Sequence, residues 1–419
     1  MVSGLGVVSP MGVGKSLFFE ALAQGWGGLR PIERFELGEF DVRWAGEVPY
    51  SNALIEDLAE SYAASTIFSP WSAVDSLSQD PKVAFCLKAA EEALNDAGFT
   101  SLGPESLLHL GTSLETYRLG TAGVVNLSDK LNIEKLIAQA SLRAPLDMAM
   151  KLIEERYGRA ELALTNCSAC AAALQALGQA YRAVRDGRFE MALAGAFDSM
   201  INPLGLGGFF LLGALAVGSP EPPWPLCQPF DLCRRGLVMG EGAALMVLEP
   251  YDKVKAQGRK AYAEIIGYGA SLDAYGLSAP DPEGLGAYRA MRAALADASI
   301  KAEDVDHINA HATATRLNDP AEAKAIRALF PNWPRVPVTA IKSMIGHAIA
   351  AAGALEAASC LFTITEGLMP PNVGLERFDS DCELNHVMGK AQAFNGSIVL
   401  TNSFGFGGQN AAMIFKALQ

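Results

Sequence analysis

The segment "ALTNCSACAAALQALGQAYRAVRDGRFEMALAG" (residues 163–195) joins a strand-like run, a loop of small residues, an alanine-rich helix and a second apolar run. This order is typical of an α/β fold, in which short buried strands alternate with helices. The segment "VTAIKSMIGHAIAAAGALEAASCLFTITEGLMP" (residues 338–370) repeats the order. We therefore predict an internally duplicated α/β protein, with one half over residues 1–250 and the other over residues 251–419.

The composition excludes several classes of function. Of the 419 residues, 50% are hydrophobic and 19% are charged, which favours a compact enzyme or an obligate oligomer over a disordered chain. The net charge of −13 argues against nucleic acid as a general partner. The most apolar run (residues 205–218) is interrupted by glycines and too short to span a bilayer. We expect no membrane span and, because no secretory signal is visible, a cytoplasmic protein.

The loop before the first alanine-rich helix contains Cys167 and Cys170, separated by two residues. Such a pair can be a redox site, half of a zinc site, or two buried core residues. The other close pair, Cys227 and Cys233, has the wrong spacing to complete a zinc site, so we expect no metal. A fourth interpretation is a single nucleophile. Cys170 fits that role best, because it directly precedes the helix, where backbone N–H groups converge.

A nucleophilic cysteine needs groups that handle protons or stabilise charge, and the chain has only five histidines. We interpret His109, His307 and His386 as ordinary structural residues. His311 and His347 each follow a strand-like run and lie among small residues. The carboxyl ends of strands are where open α/β sheets bind ligands, so these junctions with Cys170 form a candidate site.

A further element is the glycine-rich loop "NSFGFGGQN" (residues 402–410), whose glycines let backbone N–H groups approach a ligand. Together with "SACAAAL", "NAHATAT" and "KSMIGHAIAAAGALE", it makes the chain resemble the β-ketoacyl-acyl carrier protein synthases, the condensing enzymes of type II fatty-acid and polyketide synthesis. The resemblance covers nearly the whole chain. It implies a duplicated thiolase fold of five layers (αβαβα), usually dimeric, and an acyltransferase activity.

The resemblance also implies residue roles. Cys170 matches the acyl-accepting nucleophile, which leaves Cys167 without a family role. His311 and His347 match the pair that supports decarboxylation. The other matching residues surround these three. They are Lys342 and Glu356 behind the histidines, Thr313 and Thr315 against the pantetheine arm, and Gly405, Phe406 and Gly407 in the oxyanion and gating loop.

The implied reaction is a decarboxylative Claisen condensation, in which an acyl group on Cys170 is extended by two carbons from malonyl-acyl carrier protein. No cofactor is implied beyond the phosphopantetheine of the carrier. The implied partners are the carrier and a second ketosynthase-like chain, in a homodimer or a heterodimer. The alternative is a partner subunit of the chain-length-factor type, with little activity of its own. The segments "AGAFDSMINPLG" and "IKSMIGH" resemble the polyketide-type ketosynthase subunits slightly more than the fatty-acid enzymes, but the resemblance does not decide the pathway.

Several positions depart from the family pattern. Ala312 stands in place of a glycine, Ala314 in place of a serine, Arg235 in place of an aspartate and Gln228 in place of an arginine. The segment "SPWSAVDSLSQDPK" (residues 69–82) lacks the run of basic residues that many relatives carry on a carrier-docking helix. Acidic carriers are attracted by Lys and Arg, so we expect docking through other residues or a partner subunit.

Overall fold

The computed structural model describes residues 1–35, 41–49, 51–68, 72–113, 116–117, 142–144, 146–218 and 226–418. These residues fold around two six-stranded β-sheets. The strands of the first sheet are Val2–Ser9 (β1), Gly12–Val13 (β2), Ser106–Gly111 (β3), Leu162–Asn166 (β4), Met191–Ser199 (β5) and Glu241–Leu248 (β6). Those of the second sheet are Glu264–Leu272 (β7), His307–Asn309 (β8), Pro337–Thr339 (β9), Asn385–His386 (β10), Ile398–Phe404 (β11) and Gln409–Lys416 (β12).

Helices cover and separate the two sheets. They are Lys15–Gln24 (α1), Ser51–Ser61 (α2), Ala73–Gln79 (α3), Pro81–Asp96 (α4), Met148–Tyr157 (α5), Ala172–Arg185 (α6), Pro203–Leu211 (α7), Tyr251–Ala256 (α8), Leu285–Ala298 (α9), Asn318–Leu329 (α10), Lys342–Ile345 (α11) and Ala352–Glu366 (α12). Two-residue and three-residue strands also pair Arg30–Pro31 with Trp44–Ala45, Thr116–Tyr117 with Leu142–Ala144, and Leu368–Met369 with Gln392–Ala393.

The two sheets share one topology. The strand order is β2-β1-β6-β5-β3-β4 in the first sheet and β7-β12-β11-β8-β9-β10 in the second. In the first sheet, β1, β6 and β5 pair antiparallel, and β5, β3 and β4 pair parallel. The strands β7, β12, β11, β8 and β9 repeat this pattern. In each sheet the carboxyl ends of the parallel strands therefore lie side by side. The candidate residues come directly after these strand ends or in the turns that follow them.

Side chains of the central strands alternate between two cores. In β6, the even-numbered residues from Ala244 to Leu248 face a core between the sheets, and the odd-numbered residues from Ala243 to Val247 face an outer core. Helices α6 and α12 fill the central core. Helices α2 to α5 cover the outer face of the first sheet, and α9 and α10 cover that of the second. The five predicted layers are therefore confirmed.

Both halves bring an outer helix against a glycine in their first strand. A Cβ on Gly6 of β1 would lie 1.9 Å from the Ala89 carbonyl oxygen of α4. A Cβ on Gly269 of β7 would lie 2.2 Å from the Ala290 carbonyl oxygen of α9. Both distances are far shorter than a Cβ tolerates, so only glycine allows this packing. The repeated contact shows that the resemblance between the halves extends to their packing.

The predicted repeat differs from the structure at one strand. In the first segment, the run after the helix becomes β5, a central strand of the first sheet. In the second segment, the run after α12 becomes Leu368–Met369, which pairs with Gln392–Ala393 in a separate ribbon. The central position in the second sheet is taken by β11, which follows later in the chain. The division at residue 250 stays a prediction, and residues 69–71 of the segment that lacks a run of basic residues (69–82) lie outside the described residues.

Residues Ile349–Glu366 are long and apolar enough to cross a membrane by composition, but 83% of them are buried inside the protein. They include α12, which packs between the two sheets. Their apolar character is therefore that of a core helix, as expected for a helix that is hydrophobic on all sides.

Candidate active site

Cys170 lies at the turn between β4 and α6. Ala169 adopts a left-handed conformation (φ 49°), and Ala169–Ala171 form a single 3₁₀ turn before α6 begins at Ala172. The cysteine is 1% exposed. It therefore lies buried at the amino end of a long helix, where free N–H groups and the helix dipole favour negative charge on the sulfur.

His311 follows β8, and Glu322 of α10 holds its backbone. The Glu322 carboxylate accepts hydrogen bonds from the N–H groups of His311 (2.9 Å) and Ala312 (2.8 Å). Ala312 and Ala314 have φ angles of 37° and 61°, in the left-handed region that suits glycine. Ala312 thus keeps a backbone path suited to the family glycine, at a strain of about 1 kcal/mol.

His347 lies in the turn between α11 and α12, and backbone contacts fix it. Its N–H donates to the Val238 carbonyl over 2.7 Å, and its own carbonyl accepts from the Gly240 N–H over 2.9 Å. Ile349, with a φ of 43°, turns the chain into α12 and donates its N–H to Nδ1 of His347 over 3.1 Å. The imidazole is buried, and these contacts set its orientation.

The structure brings the three candidate residues together from distant parts of the chain. The Sγ of Cys170 and a ring nitrogen from each of His311 and His347 all lie within 4.8 Å of one another. The two imidazole centroids are 5.2 Å apart, with the rings at 83°. The predicted grouping is therefore present in the structure. By contrast, His307 donates to or accepts from Thr339 in the core, and it takes no part in the group.

A buried ion pair lies behind the histidines. The Lys342 ammonium contacts the Glu356 carboxylate and donates to the His311 carbonyl over 2.5 Å. Both side chains of the pair are 0% exposed. Burial raises the pKa of Glu356, and the charge of Lys342 acts in the opposite direction by stabilising the carboxylate. The pair occupies the position that the resemblance implied for it.

Contacts at Nδ1 determine which nitrogen of each imidazole carries the proton. Nδ1 of His311 lies 3.1 Å from the Lys342 ammonium, and Nδ1 of His347 faces the Ile349 N–H. An ammonium and an N–H can only donate, so both Nδ1 atoms accept and both protons reside on Nε2. Each Nε2 is buried and has no partner with full hydrogen-bond geometry among the described residues, although a backbone contact with Phe404 partly opposes the lowering of the His311 pKa. The site therefore offers two unused N–H donors.

Burial also sets the charge of the site. Desolvation lowers the pKa of His311 and His347 well below the usual value, and the Lys342 charge lowers both further. Burial raises the pKa of the Cys170 thiol to about 12, while Lys342 and the Phe406 N–H partly oppose this shift. At neutral pH the site therefore holds a thiol and two neutral imidazoles.

The glycine-rich loop after β11 lies against Cys170. The Phe406 N–H donates to the sulfur, and a Cβ on Gly405 would lie only 3.2 Å from the Cys170 nitrogen. Gly407 has a φ of 79°, which turns the loop back towards β12. The Phe406 ring contacts the Phe209 ring of α7 with a centroid separation of 5.8 Å. The loop thus brings one backbone donor to the nucleophile and packs its aromatic ring against α7.

A cavity of about 600 Å³ extends from the three residues to exposed side chains at its mouth. Thr313 and Thr315 line it, and their hydroxyl oxygens are 2.9 Å apart. This is the place that the resemblance implied for the pantetheine arm. A cavity with hydroxyl groups on its wall suits a ligand that carries amide groups.

The grouping of Cys170, His311 and His347 raises the question of a metal ion. A histidine that binds a metal through Nε2 normally keeps a proton on Nδ1 and donates it to a carboxylate or carbonyl. Here both Nδ1 atoms face donors instead, and the Lys342 ammonium adds positive charge nearby. The described side chains therefore suit an anionic group better than a cation.

Two buried carboxylates that support the site were not singled out from the sequence. One is Glu322, described above. The other is Asp198 at the end of β5, which accepts hydrogen bonds from the Ser113 hydroxyl (2.6 Å) and from the N–H groups of Ser199 (2.9 Å) and Ala350 (2.9 Å). Asp198 thereby ties two strand ends of the first sheet to the turn that follows His347.

Comparison with known proteins gives matches over the whole chain. The family profile described as "Beta-ketoacyl synthase, N-terminal domain" matches residues 1–254, and the profile "Beta-ketoacyl synthase, C-terminal domain" matches residues 262–376. The 3-oxoacyl-[acyl-carrier-protein] synthase 2 of Synechocystis sp. is 33% identical over 428 residues, covering 100% of this chain and 98% of the relative.

Two solved structures are also similar. The ishigamide ketosynthase/chain length factor superposes with a TM-score of 0.83 at 29% identity, covering 100% of this chain and 98% of the other. The structure of a type II PKS acyl-carrier protein in complex with its ketosynthase bound to the hexaketide gives a TM-score of 0.83 at 28% identity, with the same coverage.

Proposed function

This chain belongs to the β-ketoacyl synthase family, and on that premise we propose that Cys170, His311 and His347 divide a condensation reaction between them. The protein is a β-ketoacyl-acyl carrier protein synthase, an acyltransferase with the duplicated thiolase fold. Its substrates are thioesters on the phosphopantetheine of an acyl carrier protein. The chemistry needs no further cofactor, because a thiol and hydrogen-bond donors suffice for each step.

In the first step the acyl group moves to Cys170. The sulfur attacks the thioester carbonyl, a new carbon–sulfur bond forms, and the bond to the pantetheine sulfur breaks. The thiol proton passes to the departing pantetheine sulfur, so the step is balanced. The N–H groups of Cys170 and Phe406 hold the negative oxygen that forms transiently, which is consistent with the contact of Phe406 with Sγ.

In the second step a malonyl thioester loses carbon dioxide. The electron pair of the broken carbon–carbon bond becomes an enolate, and the Nε2–H groups of His311 and His347 donate to its oxygen. The enolate carbon attacks the carbonyl of the acyl-cysteine, the sulfur leaves and takes up a proton, and a β-ketoacyl thioester two carbons longer results. Lys342 keeps the His311 ring in place by its contacts at Nδ1 and the backbone carbonyl, and Glu356 holds Lys342 through the ion pair.

The observation that carries this proposal is the pair of unused Nε2–H donors beside Cys170. Both are buried, and both have their protons fixed by contacts at Nδ1. Orphaned donors in a buried site cost stability unless a ligand satisfies them. An enolate oxygen, which is negative and small, is the group of this reaction that satisfies both donors at once.

Acylation of the protein tests the proposal. Incubation with an acyl-carrier thioester, followed by digestion and mass spectrometry, should place the acyl group on Cys170. Cys170→Ser should lose the thioester adduct, and the matched variant Cys167→Ser should retain it, since Cys167 is exposed and has no role in the site. Failure of every carrier thioester to acylate Cys170 would instead favour the partner-subunit alternative.

The same premise extends to partners. Strand β4 lies at the edge of the first sheet, and Leu162 and Leu164 on it are each 37% exposed. An exposed apolar edge strand readily pairs with another chain, so we infer that a second ketosynthase-like chain, identical or homologous, pairs along β4. Leu164→Lys should lower the association in sedimentation experiments while leaving the fold intact.

We propose that the protein is located in the cytoplasm.

A further inference from the structure

The mouth of the active-site cavity carries two arginines. Among the lining residues, the charged side chains are Arg235, Arg316 and Asp273. Asp273 is already occupied, because its carboxylate accepts hydrogen bonds from the Asn410 side chain (2.6 Å) and the Asp281 N–H (3.1 Å). The arginines are exposed, and neither forms a hydrogen bond or ion pair with a described residue. A chain of net charge −13 thus presents free positive charge at the entrance to its cavity.

Hydrogen bonds hold the loops that carry the two arginines against each other. The Gly236 N–H donates to the Ala314 carbonyl over 3.0 Å, and Nε of Arg234 donates to the Thr315 carbonyl over 3.0 Å. Arg235 lies between the two donors, and Arg316 directly follows the second acceptor. These two contacts hold together the loops that carry the exposed arginines, and both arginines line the same cavity.

The supporting loops are rigid. Arg234 is buried in an ion pair with Asp379 (2.5 Å) and also donates to the Asp231 carbonyl (2.9 Å). On the other loop, the Thr315 hydroxyl accepts from the Asn318 N–H over 3.2 Å. Arg234 and Arg235 are consecutive in sequence but differ in their contacts. Arg234 pairs with groups inside the protein, whereas Arg235 forms no ion pair or hydrogen bond with a described residue. Arg235 is also one of the positions where the chain departs from its family.

We propose that Arg235 and Arg316 form an anion clamp for the phosphate that terminates the pantetheine arm. The proposal rests on the proposed function, because a condensing enzyme takes its acyl group from a phosphopantetheine thioester. An extended arm with its thioester at Cys170 passes Thr313 and Thr315 and leaves the cavity between the two arginines. Guanidinium groups suit phosphate oxygens, which they can bind through two parallel N–H donors.

Binding of small molecules tests the clamp without relying on catalysis. The probes are 4′-phosphopantetheine and pantetheine, titrated into wild-type protein by calorimetry. We expect the phosphorylated compound to bind about tenfold more tightly at low salt, with the preference shrinking as salt is added. Arg235→Gln and Arg316→Gln should each reduce the preference, and the double variant should abolish it while pantetheine affinity stays the same. Arg159→Gln, an exposed arginine before β4 and so at the far end of that strand from Cys170, is the matched control.

Other outcomes would overturn the clamp. Equal or undetectable affinities of the wild type for both compounds would do so, as would a preference that survives in the double variant. A third titration uses the apo carrier protein, which has no phosphopantetheine. Loss of apo-carrier binding in the double variant, with the phosphate preference intact, would assign the arginines to the acidic carrier surface instead.

The result is separable from that of the condensation assay. A protein that acylates Cys170 but shows no phosphate preference would refute only the clamp. A protein that binds phosphopantetheine through the two arginines but never acylates Cys170 would refute only the condensing activity.

Discussion

The junction from β4 to α6 and the junction from β9 to α12 have the same local structure. Each contains a residue in the left-handed region, Ala169 with a φ of 49° and Ile349 with a φ of 43°. Each continues with one 3₁₀ turn and then a long helix at the centre of the molecule. The helices touch near their starts, where a Cβ on Gly353 would lie 3.2 Å from the Ala173 side chain.

The junctions differ in what they hold. The first has only two residues between its strand and its 3₁₀ turn, and it presents a thiol at a helix end. The second contains α11, which adds Lys342 and lets the chain place His347 against Ile349. Helix α12 is buried on all sides from Ala352 to Thr363 and carries Glu356 there, whereas α6 has the exposed Arg182 and Arg185 in its last turn. One backbone design thus serves a nucleophile in one half and a fixed, neutral hydrogen-bond donor in the other.

The largest expected effect is the separation of the two half-reactions. Cys170→Ser should lower acylation about 10³-fold or more and leave malonyl decarboxylation measurable, because the imidazoles remain in place. His347→Ala should lower decarboxylation about 10²- to 10³-fold, by loss of one Nε2–H donor, and leave acylation nearly unchanged. Acylation is followed by mass spectrometry, and decarboxylation by release of labelled carbon dioxide.

The control for both variants is Cys167→Ser, which should behave as wild type in each assay. Loss of both half-reactions in either the Cys170 or the His347 variant, with an unchanged fold by circular dichroism, would contradict the division of labour between the junctions.

The next effect concerns stability. Lys342→Met leaves the Glu356 carboxyl buried without its partner and should lower the free energy of unfolding by about 3–5 kcal/mol. The carboxyl end of α6 offers an exposed comparison in the ion pair of Arg185 and Asp297 (3.1 Å), whose arginine is 42% exposed. Arg185→Met should cost less than about 1 kcal/mol. Denaturant titration measures both changes.

A double variant, Lys342→Met with Glu356→Leu, should recover most of the lost stability, because no unpaired charge remains. A small loss in Lys342→Met, similar to that in Arg185→Met, would show that the pair is not desolvated in solution.

The sequence predicts the parts of this site that follow from local pattern. A strand, a loop of small residues and a helix place Cys170 and His347 at strand ends, and the family resemblance supplies the partners. Glu322 and Asp198 escape this reasoning, because carboxylates that accept from backbone N–H groups look like ordinary helix-start or strand-end residues. Apart from Ser199, which is adjacent to Asp198, their partners described above are 10 or more residues away. Spacing along the chain carries no signal for such contacts.

The family resemblance implies neutral imidazoles that donate through Nε2, but spacing along the sequence does not show the positions of the protons. They depend on whether Nδ1 of each histidine meets a donor or an acceptor, and those contacts come from Lys342 and Ile349 in the folded chain. The separate ribbon of Leu368–Met369 has a similar explanation. Its apolar run resembles β5, but which strand joins a sheet is decided by long-range pairing.

The dependence of stability on pH should have opposite signs at the two junctions. The pKa of His347 is lowered by burial, so below about pH 6.5 the unfolded chain binds a proton that the folded chain does not. Stability from this group is lost as the pH falls, by about 1.4 kcal/mol per pH unit. The pKa of Cys170 is raised to about 12, so above about pH 8.5 the unfolded chain releases a proton that the folded chain keeps. Stability from this group is lost as the pH rises.

Differences between variants isolate each group. The free energy of unfolding of the wild type minus that of His347→Gln should decrease only as the pH falls into the acid range. The corresponding difference for Cys170→Ser should decrease only as the pH rises into the alkaline range. A Cys170 difference that already changes near pH 7 would mean that the helix end lowers the thiol pKa more than burial raises it.

The smallest effect concerns the two left-handed residues. Ala169→Gly should raise the free energy of unfolding by about 0.5–1 kcal/mol, because glycine adopts positive φ without strain. Ile349 has a similar φ, but its side chain is 4% exposed in a core with Met239 and Leu215. Ile349→Gly relieves the strain but also deletes a buried side chain. Because the cavity costs about 2–4 kcal/mol, this variant should lower the free energy of unfolding. If the two substitutions change the free energy of unfolding in opposite directions, the backbone strain is common to both junctions and the packing of the side chain differs. Equal signs would mean that the backbone, and not the side chain, determines stability at both turns.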